Sequence, residues 1–153
     1  MVRERPSKLQ IAMENAINTA RLSHDVETQV GSVLLKKDSM TVITTGYNGF
    51  IQGAPDSILP NIRPDKYKYI IHSEENLLMN CLRNSISVAD CIVVCTMSPC
   101  SRCTRLLWQA GIRTVVCNMK YKDFDETVNM RDLKVNVSHT SEGFIQLDYE
   151  AKA

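Results

Sequence analysis

The order of segments after residue 41 restricts the fold more than any other feature of this sequence. Thr41–Tyr47, Cys91–Thr96 and Thr114–Cys117 are short β-rich runs, and segments with helical spacing stand between them. Strand and helix alternating in this way build a mixed sheet with helices on both faces. A helix expected over Cys100–Ala110, stopped by Gly111, joins the last two runs, and such a crossover favours parallel neighbours. Upstream, Val30–Lys36 and Thr41–Tyr47 flank Lys37-Asp38-Ser39-Met40, which reads as a hairpin. A first helix starts at a Ser7 cap and carries Leu9, Ala12, Met13, Ala16, Ile17 and Ala20 at helical spacing. A second begins near His72 and runs through Leu77, Leu78 and Cys81. The remaining expectations are a helix over 125–133, a strand over 144–147 and a solvated tail, which makes the sheet five-stranded. Between the hairpin and the second helix lies a long loop, Asn48–Lys68, with Pro55, Pro60 and Pro64. Loops of that length inside a domain often serve function.

Composition narrows the class. A chain of 153 residues, 44% hydrophobic, supports one core, so a single domain over 1–153 is expected. The net charge of +1 lacks the positive field of proteins that grip long nucleic acids. No apolar run approaches the roughly 18 residues of a membrane span. The opening Met-Val-Arg-Glu-Arg-Pro has no apolar signal stretch, so a cytoplasmic location is expected. In that compartment the six Cys read as metal ligands or reduced core thiols rather than disulfides. Cys91, Cys95 and Cys117 fall on strands and suit the core.

Two motifs carry chemistry. His72-Ser73-Glu74 is one, and Pro99-Cys100-Ser101-Arg102-Cys103 is the other. Alone, a His-x-Glu means little, and a Cys-x-x-Cys is redox, zinc-binding or incidental. Together, each at an expected helix start, they supply one nitrogen and two thiolate ligands. Helix N-termini favour the thiolate form. Three protein ligands leave a fourth position open, the pattern of a catalytic zinc site. Two thiolates and a neutral His cancel the charge of Zn²⁺, which makes the metal a weak acid toward water. A nearby base is then needed, and Glu74 is placed to be it. The paired motif resembles that of the zinc deaminases.

The likeness reaches further. Gly46-Tyr47-Asn48-Gly49, the stretch Arg21-Leu22-Ser23-His24-Asp25 followed by Gln29-Val30-Gly31, Gln109-Ala110-Gly111-Ile112 and Lys120-Tyr121 resemble segments of the deoxycytidylate (dCMP) deaminases, a branch of the cytidine deaminase superfamily. The resemblance spans roughly Ala12 to Val128. It departs at Ser73, where Ala is usual, at the inserted Leu22, at Val26 in place of Pro, and at Ala54, where many relatives carry a Cys that some use for a second, structural zinc.

The resemblance implies a three-layer α/β/α sandwich and hydrolysis of dCMP to dUMP and ammonia, which supplies dUMP for thymidylate synthesis. A water activated by one zinc per chain attacks C4 of cytosine. Glu74 takes its proton, delivers it to N3 and helps protonate the leaving amine. Asn48 would bond the sugar. Tyr121 and Lys122 would hold the 5′-phosphate, with Arg21 and Ser23 as further candidates and His24 beside them. It also implies a homohexamer and control by dCTP and dTTP with Mg²⁺, with Gly46, Tyr47 and Gly49 as the effector-contacting turn and glycine freedom as its hinge. Leu106, Leu107, Ala110 and the second helix could form an interface or simply core. No nucleic-acid or membrane partner is expected. The competing readings are a tRNA adenosine deaminase-like enzyme, a free-nucleoside cytidine deaminase, and a non-catalytic zinc-binding module.

Overall fold

A computed structural model describes residues 1–152. One mixed sheet forms its middle layer, in the order β2-β1-β3-β4-β6-β5. The strands are β1 (Gly31–Lys36), β2 (Val42–Tyr47), β3 (Cys91–Met97), β4 (Thr114–Met119), β5 (Leu133–His139) and β6 (Ile145–Ala151). The helices are α1 (Lys8–Ala20), α2 (Ser73–Arg83), α3 (Ser101–Ala110) and α4 (Phe124–Val128). β1 and β2 form the expected antiparallel hairpin, and β3 and β4 the expected parallel pair around α3. The Ser7 hydroxyl caps α1 by accepting the Gln10 N–H at 3.0 Å. Gly111 ends α3 with φ of 100°, a left-handed cap.

The sheet has six strands, not five. β5 is the strand missed, and it pairs antiparallel with β6 along its whole length. Only Leu133 of β5 is buried, so this edge strand offers almost no apolar run to read. The helix expected over 125–133 therefore stops at Val128, and the expected tail after Leu147 is strand up to Ala151, with Tyr149 buried.

Alternation within the strands divides the core. Val33, Leu35, Ile92, Val94 and Val116 face α1 through Ala12, Met13 and Ala16. Leu34, Val93, Cys95, Val115 and Cys117 face the other way, toward Leu77 of α2, Leu107 of α3 and Phe124 of α4. This is the three-layer sandwich. Trp108 packs against the second cluster, with the Arg113 guanidinium 3.6 Å above its ring. Cys81, Cys91, Cys95 and Cys117 are all buried free thiols.

Two glycines set how closely helices approach the hairpin. A Cβ on Gly31 would lie 2.0 Å from the Ala16 carbonyl oxygen of α1. A Cβ on Gly46 would lie 2.6 Å from the Ser73 carbonyl oxygen and 2.7 Å from the Leu77 nitrogen of α2. Gly46 is thus a contact point within strand β2, and neither it nor Gly49 has a positive φ. α2 is laid directly on β2, and that contact positions the helix carrying Glu74.

Candidate active site

Both motifs start helices, side by side. His72 is the N-cap of α2 and Cys100 the N-cap of α3. The Cys100 sulfur accepts the Cys103 N–H at 3.4 Å, and the Glu75 carboxylate accepts the His72 N–H at 3.5 Å. Parallel pairing of β3 and β4 brings the α3 N-terminus to the end of the sheet where α2 begins. The Nδ1 of His72 lies 3.5 Å from the Cys100 Sγ and 3.3 Å from the Cys103 Sγ.

These distances fit a metal. A tetrahedral zinc with bonds of about 2.0–2.3 Å holds nitrogen and sulfur ligands about 3.6 Å apart. The three ligand atoms all lie within 4.8 Å of one another, and among the described residues no other trio of His, Cys, Asp or Glu converges in this way. The sulfurs are electronically coupled. A hydrogen bond from Cys103, supported by His72 and the Cys103 N–H, outweighs burial and holds the Cys100 thiol at about 4. The same bond, together with burial, pushes Cys103 up.

Glu74 stands in the first turn of α2, 4% exposed. Burial pushes its carboxyl up to about 7, against a hydrogen bond from Cys103 and the charge of His72. A carboxyl poised there can both take and give a proton near neutrality. Ser73, the departure from the usual Ala, is fully accommodated. Its hydroxyl donates to the Ser32 hydroxyl at 2.7 Å, with the Gly46 carbonyl at 3.0 Å as the alternative acceptor, while the Ser32 hydroxyl donates back to the Ser73 carbonyl at 3.2 Å.

His72, Glu74 and Cys100 line one side of a half-open cavity. Asn48 and Tyr121 line it, as do Asp25, Arg63, Lys66 and Tyr67. The Asn48 amide oxygen accepts the Val30 N–H at 2.9 Å and its nitrogen donates to the Thr28 carbonyl at 2.9 Å. Those two bonds fix which way the amide faces. Tyr121 is tied by its own N–H to the Ser98 hydroxyl at 2.7 Å. Lys122 does not line the cavity itself; its Nζ donates to the hydroxyl of the lining Tyr67 at 3.0 Å.

Arg21 and Ser23 do not join this wall. Arg21 turns back along α1 to bond Asn18 at 3.0 Å, and the Ser23 hydroxyl accepts the Asp25 N–H at 3.2 Å. His24 accepts the Phe50 N–H at 3.2 Å and packs on the Phe50 ring. Tyr47 is exposed on the outer side, while Gly49 pairs with Ile71 through two backbone bonds of 3.0 and 2.7 Å. That bridge closes the long loop as an excursion over residues 50–70.

The excursion supplies residues that the sequence did not flag. Arg63 donates from Nε to the Tyr67 hydroxyl at 2.8 Å and from Nη2 to the Thr28 hydroxyl at 2.6 Å. The Lys122 hydrogen bond, helped by Arg63 and opposed by burial, holds the Tyr67 phenol below its ordinary value. Lys66, in the 3-10 turn Asp65–Lys68, is only 1% exposed and pairs with Asp25. No periodicity marks these positions, because each faces the cavity through tertiary folding of an irregular loop.

A six-stranded α/β/α sandwich with a His-Cys-Cys site at two helix N-termini and a buried Glu beside it defines the zinc-dependent nucleotide deaminase class. Residues 6–119 match the family model described as the cytidine and deoxycytidylate deaminase zinc-binding region, and the chain belongs to that family. It is 35% identical over 126 residues to the deoxycytidylate deaminase of Homo sapiens, covering 78% of this chain and 69% of the human protein. It is 31% identical over 138 residues to the deoxycytidylate deaminase of Schizosaccharomyces pombe, covering 84% of this chain and 42% of that one. A crystal structure of dCMP deaminase from the cyanophage S-TIM5, in complex with dCMP and dUMP, shares the fold with a TM-score of 0.71 at 22% identity, covering 83% of this chain and 93% of that chain.

Proposed function

We propose that the chain hydrolyses dCMP to dUMP and ammonia. The observation that carries this reading is one cavity with two chemistries. That cavity is lined by His72, Glu74 and Cys100, with Cys103 completing the trio behind them, and by Arg63, Tyr121 and Tyr67, to whose hydroxyl Lys122 donates. His72, Cys100 and Cys103 would hold a zinc ion, which would supply a Lewis acid beside Glu74. Glu74 accepts the proton of the attacking water and passes it to N3 of the cytosine ring. It then assists protonation of the amine as the C4–N4 bond breaks, so that water enters and ammonia leaves. Asn48, with its amide orientation fixed, meets the sugar. Tyr121 and Lys122 meet the 5′-phosphate, and Arg63 takes the part first given to Arg21 and Ser23.

The family resemblance extends the proposal to a cytoplasmic homohexamer controlled by dCTP and dTTP with Mg²⁺. Support for the control comes from the Gly46–Gly49 segment at the end of β2, which carries exposed Tyr47 and the cavity-lining Asn48. Leu107 is core, whereas Leu106, Met79 and Leu82 are exposed and available to an interface. The deciding experiment measures ammonia release from dCMP, deoxycytidine, cytidine and a tRNA, with and without a chelator. Turnover of dCMP well above the others, abolished by the chelator, is expected. Preference for the nucleosides or the tRNA would refute the reading.

A further inference from the structure

Lys66 is the largest fully buried side chain of the described residues, yet it carries a charge. Its Nζ lies 3.0 and 2.8 Å from the two carboxylate oxygens of Asp25 and 3.2 Å from a Glu27 oxygen. Burying an ion pair is costly and often weakly stabilising, so its presence in a cavity wall calls for a reason beyond stability. Asp25 and Lys66 both line the cavity that holds Glu74 and His72. Asp25 is further committed by the Glu27 and Thr28 N–H groups, which it accepts at 2.8 and 3.1 Å. These two bonds oblige the carboxylate to remain an acceptor whether or not Lys66 is there.

The charged side chains linked in this network are Arg63, Lys66 and Lys122 against Asp25 and Glu27, with Glu74 further along the same lining. One positive charge is left over, and it depends on Lys66. We propose that Lys66 is a specificity-determining residue: its buried ammonium cancels Asp25 and keeps the mouth attractive to a substrate bearing an anionic 5′-group. Lys66 cannot itself bind the phosphate, because Asp25 and Glu27 occupy its donors. It acts through the field that its charge adds to this end of the cavity.

The inference rests on the dCMP reading. Its test is the ratio of kcat/KM for dCMP to that for deoxycytidine, which differ only in the anionic group. Lys66→Met removes one positive charge and Asp25→Asn removes one negative charge. The ratio should fall by at least about fivefold in the first and rise in the second, since a single charge near a dianion in a partly desolvated cleft has that reach. The double substitution should return the ratio close to wild type. Both single-variant shifts should weaken only modestly as salt is raised, because buried charges are screened little.

A structural role alone would lower activity on both substrates together and leave the ratio fixed, or move it the same way in both single variants. Either result overturns the inference. If Lys66→Met does not fold, Asp25→Asn and the double variant still decide it, because a ratio that fails to rise in Asp25→Asn is refuting. A wild-type ratio near one would instead refute the dCMP reading itself.

Discussion

Replacing Gly46 by Ala should damage the metal site from a distance. The added methyl would lie 2.6 Å from the Ser73 carbonyl oxygen, 2.7 Å from the Leu77 nitrogen and 2.9 Å from the Leu77 Cα. All three are backbone atoms of α2, so no side chain can swing aside. Ordinary contact begins near 3.4 Å, so α2 must retreat by about 0.8 Å. His72 caps that helix and Glu74 rides on its first turn, whereas Cys100 and Cys103 belong to α3 and stay behind. Constellations of this kind tolerate displacements of about 0.5 Å. The helix also loses its seat over the Ser73–Ser32 hydroxyl pair. Overpacking should cost about 1–3 kcal/mol of stability. Zinc affinity, read by competition with a chromophoric chelator, should fall at least about tenfold, and kcat should fall with it even at saturating zinc. Gly46→Ala with zinc affinity and kcat within twofold of wild type would refute the argument that this glycine is present for helix approach.

Two further outcomes are expected. Glu74→Gln should retain zinc, measured by metal analysis, and lose about 10²–10⁴ in turnover of dCMP, the reach of a general acid/base; turnover within a few-fold of wild type would remove Glu74 from the proton path. Ser73→Ala, which restores the residue more usual in relatives, should destabilise this chain by about 0.5–1.5 kcal/mol in urea unfolding, because the Ser32 hydroxyl loses a buried partner, while zinc content stays unchanged.

Local signals in the sequence were strong where chemistry and periodicity are local. His72, Glu74, Cys100 and Cys103 sit within two short motifs, and a helix N-terminus is written in the few residues around it. The α1 cap at Ser7, the stop at Gly111 and the parallel β3–β4 pair were legible for the same reason. The edge strand β5 was not, since a strand with one buried residue gains its stability from β6 and leaves little hydrophobic pattern of its own.

The cavity's wall divides along the same line. Asn48 and Tyr121 could be named from family-like motifs, and the fold places both in the wall. Arg21 could be named too, but the α1 terminus directs it to Asn18 instead. Arg63, Lys66 and Tyr67 lie in an irregular excursion, where no repeat of two or of three to four residues tells inside from outside. Only closure of residues 50–70 by the Gly49–Ile71 bridge, and the seating of Lys66 on Asp25 some forty residues earlier, decide that these side chains line the cavity. Contacts between segments so distant in sequence are set by packing of the whole domain, and that information exists only once the chain has folded.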